Sequence, residues 1–170
     1  MNEQEVESEL ALPAARELLE KESMTRLAYN GPDGFPRVVP VGFLWNGAQV
    51  VVCTGTNAPK VRALSERPEV ALTIETGNTP GEAKALFIRG TASVDIVDGV
   101  AEEYLAMSTK GMAETLGEDG LAEFERNLRN TYEQMARIRI EPRWARCFDF
   151  GAGRLPAFLA ELVARAEQQS

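Results

Sequence analysis

Residues 26–54 read RLAYNGPDGFPRVVPVGFLWNGAQVVVCT. Three β-rich runs, Arg26 to Asn30, Arg37 to Trp45 and Gln49 to Thr54, are separated by Gly31-Pro32-Asp33-Gly34 and by Asn46-Gly47. Asp-Gly and Asn-Gly between β-branched runs are the strongest short-range hairpin signals in a sequence, because these residues accept the positive φ that tight hairpin turns require. The stretch predicts three antiparallel strands in a meander. Strands joined by hairpins do not build a doubly wound parallel sheet, which disfavours a Rossmann-type fold.

Outward from this core the pattern alternates. Upstream, Leu12, Ala15, Leu18 and Leu19 recur at helical spacing behind Pro13, predicting a short amphipathic helix that ends near Glu22. Residues 1–10 are acidic and aperiodic and read as a flexible tail, leaving 11–170 as a single domain. Downstream, the polar loop Thr54 to Ala58 leads to Pro59, which opens a two-turn helix carrying Val61 and Leu64 and stopped by Pro68. Strands follow at Val70 to Glu75 and Ala85 to Val97, with Gly90 marking a bulge or a close backbone approach. Helices are predicted for Gly99 to Thr109 and Gly120 to Ala136, the second with Leu121, Phe124, Leu128, Tyr132 and Met135 on one face. A last strand, Arg137 to Phe148, precedes a C-terminal helix from Pro156 to Gln168. The sum is a mainly β domain with peripheral helices: six antiparallel strands in a small closed or split barrel.

At 170 residues the chain suits one domain able to bury its own core. It contains no histidine, which removes Ser-His-Asp and Cys-His nucleophiles, histidine-held haem and most catalytic zinc sites. Cys53 and Cys147 are too few for a disulfide scaffold and lack metal-ligand spacing; they read as buried free thiols, with no metal site expected. The net charge of −8 disfavours a nucleic-acid partner. The acidic start and the lack of a long apolar run lead us to expect no membrane association and a cytoplasmic protein.

One segment reverses the charge. From Phe35 to Arg67 the cations Arg37, Lys60, Arg62 and Arg67 face a single acid, Glu66, so this stretch stands at +3 in a chain of −8. Thr54, Thr56 and Asn57 supply hydroxyls and an amide, and Lys60 sits at the opening of a helix, where free N–H groups and the positive dipole end favour phosphate. The same residues also read as an ordinary polar loop and a solvated helix charge.

The order of these pieces resembles a known family. Pro36-Arg37-Val38-Val39-Pro40-Val41, then Val50-Val51-Val52-Cys53-Thr54, then Lys60-Val61-Arg62-Ala63-Leu64 and Arg67-Pro68-Glu69-Val70-Ala71-Leu72 are similar to the pyridoxamine 5'-phosphate oxidase-related, FMN-binding split barrels. The resemblance runs from about Leu18 to Phe150. It implies a homodimer holding FMN, or in one branch the deazaflavin coenzyme F-420, at the subunit interface, with hydride transfer to or from a small organic substrate. It also implies that Arg37, Val38, Val39, Pro40 and Val41 run along the flavin, that Thr54 adds a hydroxyl, and that Lys60 grips the phosphate. Arg62 is a further candidate for the tail, and Trp45 reads as a core residue that could instead wall the ring. No catalytic side chain is assigned, since the hydride chemistry belongs to the flavin. A non-catalytic flavin-binding or stress-related protein is the alternative on the same fold.

Two departures bear on the substrate. Gly42 stands where the B6 oxidase carries lysine, and Pro156 stands where its C-terminal Arg-x-His pair has histidine, although Arg154 is in place. Oxidation of vitamin B6 itself is therefore not expected. Arg154 reads either as facing a substrate anion or as paired with an acid near the last helix.

Overall fold

Phe43 divides what the sequence presents as one long strand. In the computed structural model, which describes residues 1–79, 81–110 and 112–168, the chain forms β2 (Pro36–Gly42), turns at Phe43, and resumes as the two-residue β3 (Leu44–Trp45). β2 pairs with β1 (Met24–Asn30), whereas β3 pairs with β4 (Val50–Gly55). The meander is thus a handover: the first half of the strand serves one hairpin and the second half another. Phe43 is 2% exposed, and its N–H donates to the Ser23 carbonyl, which pins the corner from inside.

The remaining strands are β5 (Glu69–Thr76), β6 (Lys84–Asp98) and β7 (Gln134–Asp149), and all pairs are antiparallel in the order β2-β1-β5-β6-β7-β4-β3. The sheet has seven strands where the sequence predicted six, β3 being the addition. Its two edge strands, β2 and β3, are consecutive in the chain and separated by one residue, so the sheet must curl until its edges meet. β2 and β4 approach without a hydrogen-bonded ladder, which leaves the barrel split along that seam.

Inside the barrel, Leu27, Val50, Val52, Leu72, Ile74, Leu86, Ile88, Ile138 and Ile140 form the core. One end is plugged by α2 (Pro13–Lys21) through Ala15, Leu18 and Leu19, and α3 (Pro59–Glu66) adds Ala63 and Leu64. The outer face of β4 is also covered: Val51 and Cys53 meet Val100, Ala101 and Leu105 of the segment that enters α4 (Glu102–Thr109). Burial on both faces explains the unbroken apolar run Val50-Val51-Val52-Cys53. Gly90 marks a shift of register between β6 and β7, and a side chain there would put Cβ 2.4 Å from the Glu141 carbonyl oxygen.

Two segments differ from the sequence reading. Residues 1–10 are not a structureless tail: they contain α1 (Glu3–Leu10), whose start is a capping box in which Asn2 and Glu5 satisfy each other's backbone N–H. The Asn-x-x-Glu spacing carried that signal. The helix predicted to end at Ala136 is α5 (Ala113–Thr131), interrupted at Gly117 (φ 67°), and Gln134, Met135 and Ala136 belong to β7. Met135 completes an apolar helical stripe in sequence but is fully buried from a strand, so a shared apolar pattern misled the boundary.

Candidate functional site

The β4–α3 junction gathers the polar residues singled out in the sequence. Thr54 and Gly55 end β4, Thr56 and Asn57 form the exposed turn, and Pro59 and Lys60 begin α3. The Ala58 N–H donates to the Gly55 carbonyl and closes the loop tightly. Ala58 is the N-cap and has no side chain able to cap, so the opening amides of α3 lack a side-chain acceptor.

The four cations of this stretch separate by partner. Arg37 turns back to Asp33 across its own hairpin at 2.7 Å, and holds that carboxyl below the usual range together with the Phe35 N–H, against the opposing effect of burial. Arg62 reaches Glu66 one turn along at 3.1 Å, and Arg67 meets the same carboxylate at 3.2 Å. Lys60 alone has neither ion pair nor side-chain hydrogen bond among the described residues, although it is half-buried, and burial pulls its pKa below the ordinary lysine value. A desolvated ammonium without a counter-charge is stabilised by an incoming anion. Arg67 Nη2 is likewise buried without an acceptor, while Nε donates to the Asn30 carbonyl.

β2 lies across the seam from β4. Val39 is half-buried and Val41 buried, both on the inward side, whereas Val38 is 62% exposed and Pro40 is exposed on the outer side; Arg37 shares the face of Val39 and Val41 but is exposed near the start of the strand. Val38 and Pro40 thus leave an apolar strip of an edge strand uncovered. The structure brings Thr54, Thr56, Asn57 and Lys60 to one junction; Arg37 and Arg62 are occupied by their own acids, and Trp45 is half-buried and packs against the core. Cys53 is 8% exposed under α4, and burial raises its pKa to about 12, so it stays a neutral thiol.

A second arrangement was not read from the sequence. The outer face of β6 and β7 carries Phe87, Trp144, Arg146 and Phe148 beside Arg154 and Leu155, enclosing an open groove of about 690 Å³. Arg89 stacks 4.4 Å over Trp144, and Phe87 meets Phe148 edge-to-face. Arg154 does not extend freely. Its Nε donates to the Cys147 carbonyl at 2.7 Å and its Nη2 pairs at 2.5 Å with Glu9, which also receives Arg146 and the Cys147 N–H. The acid that holds Arg154 therefore comes from α1, at the far end of the chain.

Residues 11–146 match the pyridoxamine 5'-phosphate oxidase family model. Among solved structures, an F420 reductase is similar at 22% identity over 76% of this chain and 94% of its own, with a TM-score of 0.55. A conserved hypothetical protein from Mycobacterium tuberculosis is similar at 20% identity over 92% and 89%, with a TM-score of 0.61. A putative pyridoxamine 5'-phosphate oxidase from Listeria innocua is similar at 21% identity over 79% and 94%, with a TM-score of 0.54. At these identities the likeness is one of fold. No curated protein matches the chain.

Proposed function

This chain belongs to the pyridoxamine 5'-phosphate oxidase family, and we propose from that premise that it binds FMN at the β4–α3 junction and serves as a flavin-dependent oxidoreductase on a small organic substrate. The observation that carries the reading is Lys60: three cations of the basic stretch are already paired, and the half-buried fourth has no partner. Lys60 would hold the phosphate, with Thr54, Thr56, Asn57 and the uncapped start of α3 as donors. Val38 and Pro40 offer an apolar edge for the ring, which extends the proposed set through Arg37, Val39 and Val41 of the same strand. When bound, the flavin supplies the hydride-carrying ring; the protein binds and orients it. A cofactor of this size against a shallow seam is better covered when a second copy closes over it, which is the basis for proposing a homodimer.

Titrating FMN against wild type and Lys60→Ala tests the clamp. The variant is expected to bind about tenfold more weakly or worse, since a charge-assisted hydrogen bond contributes about 1.5–3 kcal/mol. Equal affinities would remove the site. Turnover is checked separately, by reducing the bound flavin with a nicotinamide or a reduced deazaflavin and following reoxidation by candidate acceptors. Absence of any spectral change with every donor would leave a flavin carrier rather than an enzyme.

Coenzyme F-420 is the second reading, motivated by the structural likeness to an F420 reductase. Its longer anionic tail would need Arg62 and Arg67, which share the single carboxylate of Glu66 and keep only one net positive charge between the three. The mass of the ligand released from purified protein distinguishes the two.

A further inference from the structure

The last helix stands apart from the barrel. α6 (Ala157–Glu167) has no extended packing against any other element, and among its described apolar side chains only Leu159 is half-buried. Phe158, Leu162 and Val163, which helical spacing sets on one side with Leu159, are 64%, 55% and 46% exposed. An eleven-residue helix whose N-cap, Pro156, makes no side-chain capping bond is marginal in water by itself and depends on packing of its apolar face.

A surface that answers this face lies at the foot of the helix. Leu155 and Ala157, on either side of Pro156, line the open groove of about 690 Å³ on the outer face of β6 and β7, whose apolar walls are Phe87, Trp144 and Phe148. We propose that α6 is a lid, hinged at Leu155-Pro156, that folds Phe158 and Leu162 into this groove of its own chain. Up to Leu155 the backbone is tied down: Arg154 and Asp149 exchange both backbone hydrogen bonds, the Arg154 side chain is held by the Cys147 carbonyl and by Glu9, and the Leu155 N–H donates to the Gly153 carbonyl. Pro156 has no N–H, and the next bonds, from the Leu159 and Ala160 N–H groups to the Pro156 carbonyl, belong to the helix itself. Among the described residues, then, no backbone hydrogen bond ties the start of α6 to the barrel. The dimensions also agree. The eleven residues of α6 span roughly 16 Å, and the run of β7 from Trp144 to Phe148 along the groove spans roughly 13 Å, so the helix covers its length. Closure turns the open groove into an apolar chamber that excludes water and admits a ligand only when the helix swings out. No residue of the β4–α3 junction takes part and the movement lies within one chain, so the lid stands or falls apart from the cofactor reading and from a second copy over the seam.

Two measurements on the full chain test the lid. In the double variant Phe87→Cys/Leu162→Cys, mild oxidation should join the two cysteines within one chain, because a disulfide forms only when the two Cα atoms come within about 7 Å. Cys53 and Cys147 are buried and stay out of the reaction, and the bridged product migrates on a non-reducing denaturing gel as a single chain of increased mobility. In a Trp45→Phe background Trp144 is the sole tryptophan. Adding Leu162→Ser should shift its emission to the red and raise its quenching by acrylamide about twofold as the lid lets go, whereas Ala164→Ser, on the opposite side of the helix, should change neither; circular dichroism confirms that each variant is folded. A disulfide that forms only between two chains, no disulfide at all, or a Trp144 signal indifferent to Leu162→Ser would each overturn the proposal.

Discussion

Individual side chains carry the chemistry, and two of them behave in ways that can be measured directly. Glu9 is 9% exposed and joins α1 to Arg146, Arg154 and the Cys147 amide, so its carboxylate has three donors and almost no water. Glu9→Ala is expected to lower stability by about 1–3 kcal/mol, since it leaves a buried amide and two guanidiniums without their acceptor. Thermal denaturation reads the loss, and accelerated proteolysis within residues 1–10 reports the release of α1. Cys53 sets an alkaline limit. Its pKa is raised by burial from 9.0 to about 12, so above 9.0 the unfolded chain releases a proton that the folded chain keeps. This contribution is full below 9.0 and is lost as pH climbs to about 12; Cys53→Ala should show a shallower alkaline fall in Tm than wild type. Lys60 was legible in the sequence as a cation at a helix start. The partners of its neighbours lie close in sequence, Asp33 four residues before Arg37 and Glu66 four after Arg62 and one before Arg67; what the fold adds is that Lys60 is half-buried.

At the level of elements, most boundaries follow from local chemistry. Pro59 starts α3 and Pro68 forbids its continuation; the Asp-Gly and Asn-Gly turns place β1, β2, β3 and β4. Gly90 announced an irregularity, and the structure supplies its cause, the approach of the Glu141 carbonyl across the β6–β7 register shift. Gly90→Ala should cost about 1–3 kcal/mol through overpacking against backbone that cannot move aside, measurable as a lowered urea midpoint with an unchanged slope. Patterns failed where two periodicities overlap. Tyr132 and Met135 continue the stripe of α5 at helical spacing, yet Tyr132 is the C-cap residue and Met135 is buried from β7 in the outer cluster with Val51, Cys53 and Leu105. α1 differs for the opposite reason: the alternation of Glu3, Glu5, Glu7 and Glu9 masks the helical spacing of Val6 and Glu9, the two residues the helix buries, as it packs on β7.

The whole molecule depends on a closure that involves few residues. Because β2 and β3 are the two edges of the sheet and Phe43 is the only residue between them, this side chain holds the seam along which the candidate site lies. Phe43→Ala should destabilise the fold by about 3–5 kcal/mol and weaken FMN binding beyond the loss of stability, checked by titration at a temperature where the variant remains folded. Among the described residues no helix is long and apolar enough to cross a membrane. What the sequence determined by itself was the set of antiparallel strands, the absence of histidine chemistry and the basic stretch from Arg37 to Arg67, because turn residues, missing residue types and local charge are properties of neighbours along the chain. Tertiary structure alone decided that one predicted strand ends on both edges of the sheet, that Glu9 holds Arg154 across almost the entire chain, and that Lys60 is half-buried. The pairs that occupy Arg37, Arg62 and Arg67 are local, between residues one to four apart; the curl of the sheet and the reach of Glu9 to Arg154 are not, and only closure of the barrel brings such distant residues together.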